Sequence, residues 1–141
     1  LTPETDLGRM LASLAPAVMP GEFVFCSLAP AQFSRLPAAD VLASFREEEG
    51  ITAVLDRELA DAFGCEYAGV FAGITLGVYS SLDAVGLTAA VAGALADCGI
   101  PANVIAAFHH DHLFVPVADL ERALGALDAL GLESASPGSS R

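Results

Sequence analysis

Three histidines and one aspartate occupy four consecutive positions, His109-His110-Asp111-His112. Imidazole nitrogens and carboxylate oxygens are the ligands of many zinc, nickel and copper sites. In an extended segment His110 and His112 would lie on one face, where the two imidazoles could converge. A structural zinc site needs about four ligands, so a second chain would have to contribute. We therefore interpret the segment as a polar turn or as metal-free residues lining a ligand site, with a metal held by His110, His112 and Asp111 as the alternative.

The same turn raises the question of catalysis, because His and Asp beside Ser or Cys support nucleophilic chemistry. The sequence contains no GxSxG elbow, no HExxH pair and no phosphate-binding Walker loop. The glycines at 69, 73 and 77 recur every four residues in a segment predicted to be extended, which indicates close packing instead of a phosphate loop. We predict that the protein is not an enzyme.

A second set of residues could bind a ligand without catalysis. Ser80 and Ser81 precede a predicted helix, and Gly86 falls within its first turn, where a glycine costs about 1 kcal/mol relative to alanine. The unpaired amides and the dipole at a helix N-terminus attract a carboxylate, and a glycine lets the backbone approach a ligand closely. Close packing of the helix is the alternative reason for this glycine. An amino group on the ligand would find partners in Asp83 and the side chain of Asn103.

The elements that position these residues follow from hydropathy and turn signals. A first helix carries leucines and methionine at helical spacing over 7–14, with Thr2 and Pro3 as its start signal. A strand over 22–28 follows, then a connection rich in proline and alanine. A hairpin of 41–46 and 51–55 turns at Gly50, and a helix from 56 to about 63 ends at Gly64.

The second half repeats this pattern. Residues 67–79 predict one long strand, or two in line with a kink at 72–73. A helix runs from Ser81 or Asp83 to Cys98 and stops at Gly99. A second hairpin joins 102–108 to 113–117, and Asp119 caps a last helix closed by Gly131.

Two repeats of this order predict an α+β fold of two ferredoxin-like βαββαβ units, with helices on one face of an antiparallel sheet. We assign residues 1–20 to an N-terminal helix and linker, 21–72 to the first unit and 73–132 to the second. Residues 133–141, rich in serine, proline and glycine, predict a disordered tail.

The second unit resembles an ACT domain, and the tandem resembles the regulatory ACT pair of aspartate kinases and small stand-alone bacterial proteins of two ACT units. The resemblance is carried by residues 80–91, 95–100, 103–104, 111–117 and 123–124. It implies a ligand sensor that holds an amino acid at the interface between paired ACT units. Carried over by position, the ligand residues are Ser80, Ser81, Val85, Gly86, Leu87, Asn103 and Val104. The chain differs from the kinases in lacking a kinase domain and in carrying the histidine turn.

Composition limits the remaining function classes. The 141 residues include 6 Lys+Arg against 18 Asp+Glu, a formal net charge of −12, which argues against binding nucleic acid or an anionic membrane surface. The longest nearly apolar stretches, 67–79 and 84–96, are shorter than the roughly 18 to 20 residues of a transmembrane helix. Cys26, Cys65 and Cys98 show no CxxC spacing and suggest buried thiols in a reducing compartment. We expect a soluble, cytoplasmic protein without a cofactor.

Exposed edge strands are prone to pairing, and the resemblance implies ACT sheets that pair edge to edge or stack. We therefore expect a homodimer, with an enzyme regulated in trans as a further partner. The alternative to a ligand sensor is a structural or interaction subunit that docks onto a partner enzyme and binds no ligand.

Overall fold

The computed structural model describes residues 2–135, and these residues form five α-helices and seven β-strands. In chain order they are α1 (Leu7–Ala12), β1 (Pro16–Val18), β2 (Phe23–Leu28), α2 (Pro30–Ser34), β3 (Val41–Arg46), β4 (Ile51–Asp56), α3 (Arg57–Ala62), β5 (Phe71–Leu76), α4 (Leu87–Asp97), β6 (Asn103–Ala106), β7 (Asp111–Pro116) and α5 (Leu120–Ala135). Single 3-10 turns lie at Ala38–Asp40 and Val117–Asp119. The chain divides into two units, Pro20–Ala72 and residues 2–19 with 73–135.

The unit Pro20–Ala72 is an antiparallel sheet covered by two helices. Its strands lie in the order β3-β4-β2, and the start of β5 pairs with β2 at Phe23 opposite Phe71. Its core is formed by apolar side chains of both helices and all three full strands: Val24, Cys26, Leu28, Phe33, Leu36, Val41, Ala53, Leu55, Leu59 and Ala60. The order βαββα followed by a strand is the predicted ferredoxin-like pattern.

One helix of this unit is missing from the sequence prediction. The connection after β2 contains α2, with Pro30 at its first position, where its fixed φ suits a helix start. The side chain of Gln32 accepts a hydrogen bond from the Ala29 amide at 2.9 Å and satisfies a donor at that end. The prediction of a plain connection is wrong because so short a helix shows less than two turns of apolar periodicity.

The second unit draws on both ends of the described chain. Its strands lie in the order β1-β5-β7-β6, and β1 pairs antiparallel with β5 from Pro16 opposite Leu76 to Val18 opposite Ile74. Helix α5 packs against α1 and α4. The N-terminal helix and strand therefore complete the sheet and helix layer of this unit.

Helix ends differ from the prediction where backbone geometry decides them. Asp6, and not Thr2, caps α1, by accepting a hydrogen bond from the Arg9 amide at 2.9 Å. Helix α5 continues through Gly131 to Ala135. Gly131 lies where the chain packs closely, since a Cβ there would lie 3.3 Å from the Leu11 carbonyl oxygen. Residues 136–141 of the predicted tail lie outside the described residues, and 133–135 are helical.

The strand predicted over 67–79 spans only Phe71–Leu76, so both the single long strand and the kinked pair are wrong. Before it, the Tyr67 hydroxyl donates to Asp61 at 2.7 Å and the ring packs on the core. After it, the Gly77 amide donates to the Leu14 carbonyl at 2.7 Å, and a Cβ on Gly77 would lie 3.0 Å from the Ala15 Cβ. Both hairpins form as predicted, β3 with β4 and β6 with β7.

Candidate functional site

A cavity of about 150 Å³ lies between the loop that leaves β5 and the turn of the β6–β7 hairpin. The loop contributes most of its walls, and the hairpin contributes the rest. The lining residues are Ser80, Ser81, Leu82, Ala84, Gly86, Leu87, Thr88, Ala106, Ala107 and Asp111.

The segment near the N-terminus holds this loop in place. The Glu4 amide donates to the Tyr79 carbonyl at 2.7 Å, and the Ser81 amide donates to the Glu4 carbonyl at 2.9 Å. Residue 4 thus forms a parallel bridge beside Ser80. Within the loop, the Ser81 hydroxyl accepts from the Asp83 amide at 3.1 Å, a local turn that competes with helix formation.

Helix α4 begins later than predicted because of Gly86. Gly86 is its N-cap, with φ +101°, a left-handed conformation that excludes it from the helix and favours glycine. Neither Ser81 nor Asp83 is the cap, and the Gly86 Cα approaches the side chain of Leu7. The first turn of α4 has no side-chain cap and no acidic residue, and its residues Leu87 and Thr88 line the cavity.

The buried polar groups of the cavity are Ser80 and Asp111, each 8% exposed. The Ser80 hydroxyl donates to Asp111 Oδ2 at 3.4 Å, a long hydrogen bond. Asp111 is the first residue of β7, opposite Ala106 in the hairpin. The structure therefore places a carboxylate near a helix N-terminus in one small cavity.

Four of the predicted ligand residues, Ser80, Ser81, Gly86 and Leu87, line this cavity. Asp83 and Val85 belong to the same loop but are exposed, Val85 by 83%. Asn103 and Val104 lie on β6 away from the lining, and the Asn103 side chain donates to the Phe114 carbonyl at 3.3 Å. These eight remain predicted ligand residues.

The sequence places Asp111 in the segment of residues 109–112, as a candidate metal ligand or as part of a ligand lining, and does not group it with Ser80, Ser81, Gly86 and Leu87. The one signal that points to it is an acidic residue at the start of a strand whose next apolar residues, Leu113 to Val115, are all buried.

The histidine turn, residues 109–112, makes contacts between aromatic rings. The centroid of His109 lies 5.3 Å from that of Tyr79 and 5.0 Å from that of Phe108. His112 Nδ1 lies 3.0 Å from the Thr75 hydroxyl on β5. Burial lowers the pKa of His112, the charge of His110 lowers it further, and Asp111 opposes both effects.

Across residues 2–135, no three His, Cys, Asp or Glu side chains gather as a metal site would require.

No bilayer-spanning element occurs among the helices of residues 2–135, since none is both long enough and apolar enough.

Comparison with known families returned two adjacent matches. One model of the ACT domain matches residues 2–72, and a second model of the ACT domain matches residues 72–129. A comparison with curated proteins returned no significant match.

Solved structures of similar fold cover most of the chain. A Vibrio cholerae protein described as of unknown function and a possible transport protein shares 43% identity, with 89% of this chain and 95% of that chain covered and a TM-score of 0.77. An Agrobacterium tumefaciens protein shares 20% identity over 82% of this chain and 87% of that one, with a TM-score of 0.67. The ligand-free regulatory subunit of aspartate kinase from Thermus thermophilus shares 12% identity over 84% and 97%, with a TM-score of 0.65.

Proposed function

The chain belongs to the ACT-domain family of regulatory proteins, and on that premise we propose that it is a non-catalytic sensor that binds an amino acid in the cavity between the β5–α4 loop and the β6–β7 turn. The observation that carries the proposal is the N-terminus of α4, which has neither a side-chain cap nor an acidic residue and lines a cavity containing a buried carboxylate. Such an N-terminus accepts a carboxylate from a ligand even though the chain has few cations.

Regulation would follow from differential affinity. A ligand that binds one arrangement of the β5–α4 loop more tightly than another shifts the population toward the first. Two backbone hydrogen bonds join Glu4 to Tyr79 and Ser81, so any second arrangement of the loop that moves these residues would have to break them.

Partners belong to the same proposal. Leu82 and Phe108 flank the cavity and are 66% and 68% exposed, which suits contact with a second copy in a homodimer. A cytoplasmic enzyme regulated in trans is the further partner that we propose.

A thermal-shift screen against the twenty amino acids at about 5 mM tests the proposal. A site filled to 100 times its dissociation constant stabilises by about 2.7 kcal/mol, which is an easily measured shift in Tm. Ala107→Leu places a larger side chain in the cavity wall from an exposed position and should abolish the shift. Ala96→Leu, at an exposed position elsewhere on α4, is the matched control and should leave it unchanged.

If no amino acid stabilises the protein, the sensor is excluded. A stable, specific complex with a partner enzyme would then favour the alternative, an interaction subunit without a ligand.

A further inference from the structure

The Asp111 carboxylate is buried without a cation to balance it. Within residues 2–135 it accepts a hydrogen bond from the Ser80 hydroxyl at 3.4 Å. The ion pairs of these residues, Arg57 with Glu22 and Arg122 with Asp119, do not involve it. Burying a carboxylate costs several kcal/mol unless hydrogen bonds and an opposite charge compensate. One long hydrogen bond from a neutral hydroxyl is weak compensation.

Within residues 2–135, no histidine of the neighbouring turn forms an ion pair with Asp111. His112, the next residue on β7, has its pKa lowered by burial, so it is mainly neutral at pH 7. It has its own contact with Thr75. His109 makes ring contacts with Tyr79 and Phe108.

The opposite wall of the cavity carries the complementary partial charge. The amides at the start of α4 have no side-chain acceptor, and the helix dipole places positive potential there. A single cavity thus offers the carboxylate of Asp111 on one wall and the N-terminal residues of a helix, Leu87 and Thr88, on the other. A ligand matching both ends carries an ammonium group and a carboxylate group.

The remaining walls limit the rest of the ligand. The cavity holds only about 150 Å³. Within residues 2–135, its lining contains no charged side chain besides Asp111 and combines the hydroxyl residues Ser81 and Thr88 with aliphatic residues: Leu82, Ala84, Leu87, Ala106 and Ala107. A charged ligand side chain would find no further charge to pair with in this lining, and a large one would exceed the space.

We propose that Asp111 is the ammonium anchor of the site, and that the ligand is a zwitterionic α-amino acid with a small, uncharged side chain. This inference rests on the proposed function and adds the recognition residue and the ligand class.

Matched small probes test the need for both charges. L-alanine, propionate and ethylamine have similar size and differ in whether they carry both charged groups, the carboxylate alone or the ammonium alone. We expect L-alanine or L-serine to raise Tm at 5 mM, and propionate and ethylamine to shift it far less. L-lysine, L-aspartate and L-phenylalanine should also have little effect.

Asp111→Asn removes the charge and retains an acceptor for Ser80. We expect it to lower the affinity for L-alanine, measured by calorimetry, about 10- to 100-fold, since hydrogen bonds to charged groups are the strong ones. Without ligand, the variant should have a higher Tm than the wild type, because an unbalanced buried charge is lost. Asp83→Asn, exposed in the same loop, is the control and should change neither quantity.

The outcomes separate the two proposals. If amino acids bind but propionate binds as well as L-alanine, or if Asp111→Asn retains wild-type affinity, the ammonium anchor is overturned and the sensor remains. If only large or charged amino acids bind, the proposed ligand class is overturned. If none of the twenty amino acids binds, the proposed sensor function is overturned. Independently, an unliganded Asp111→Asn variant with the same Tm as the wild type would show that the Asp111 carboxylate is not an unbalanced buried charge.

Discussion

At the scale of single residues, burial decides which thiol of this chain can react. Cys26 is 2% exposed in the core of the unit Pro20–Ala72, and burial, with the nearby Cys65 thiol, raises its pKa to about 11. Cys98 is exposed at the end of α4. The thiolate is the reactive form, so at pH 8 Cys26 is both hidden and protonated.

We therefore predict that iodoacetamide at pH 8 modifies Cys98 first and Cys26 last, as followed by peptide mass spectrometry over time. In 6 M guanidinium chloride the three cysteines should react at similar rates. Equal rates for Cys26 and Cys98 in the native protein would contradict the burial of Cys26.

Gly86 offers a second test at this scale because its conformation is left-handed, at φ +101°. Gly86→Ala should destabilise the protein by about 1 to 2 kcal/mol, the usual cost of that conformation for a residue with a Cβ. Gly93→Ala on the same helix is the control: its Cβ would meet no atom within 4 Å, so helix propensity should stabilise by about 0.5 to 1 kcal/mol. Urea unfolding measures both, and a neutral Gly86→Ala would show that the loop relaxes freely.

At the scale of elements, the neighbouring strands β5 and β7 share a contact that involves a titratable side chain. His112 on β7 faces Thr75 on β5 at 3.0 Å, and burial lowers the pKa of His112 below its usual 6.5. The unfolded state therefore binds a proton at His112 more tightly than the folded state does. The contribution of neutral His112 to the free energy of unfolding is complete above about pH 6.5 and falls as the pH drops below that value.

We predict that Tm declines between pH 7 and pH 5.5 and that His112→Gln flattens this decline. His109→Gln, in the exposed turn, should keep the wild-type slope. A decline of the same slope in His112→Gln would assign the pH dependence to other groups.

Some helices and strands could be predicted from the sequence with correct ends and others could not, for physical reasons. The hairpins and α3 follow from strong local signals such as Gly50 and Gly64, both of which have positive φ. The true start of α4 could not be read from the sequence, because Ser81 and Asp83 are both good cap residues, whereas the left-handed backbone of Gly86 starts the helix after both of them. Likewise, the sequence marks Gly131 as a typical residue at a helix end, whereas in the structure it lies within α5 at a close contact with Leu11 of α1.

At the scale of the whole molecule, sequence order and spatial order differ. Ser80, Ser81, Gly86 and Leu87 lie close together in the sequence, so local reasoning could group them. Asp111 joins them through strand pairing, which a single sequence does not reveal. The same holds for residues 2–19, which local signals mark as a helix with a linker and which the structure places in the unit with 73–135.

This arrangement makes a prediction about folding. Met10 and Leu14 are 0% and 2% exposed, and full burial of such side chains contributes about 1.5 to 3 kcal/mol each. A fragment of residues 73–135 would lose these contacts and leave β5 without β1. We expect it to lack a cooperative thermal transition by circular dichroism.

Strand register indicates how residues 2–19 can be joined directly to residues 73–135. The Met19 amide donates to the Gly73 carbonyl at 2.8 Å, so the two residues face each other at the end of an antiparallel pair. Joining residues 2–19 to 73–135 through Asn-Gly, a sequence suited to a two-residue hairpin turn, should restore a cooperative transition. The matched control carries Met10→Asp in the joined chain and should unfold, because a carboxylate at a fully buried position has no partner there. If residues 73–135 alone melt as cooperatively as the joined chain, the N-terminal segment is an accessory to this ACT unit and not part of its core.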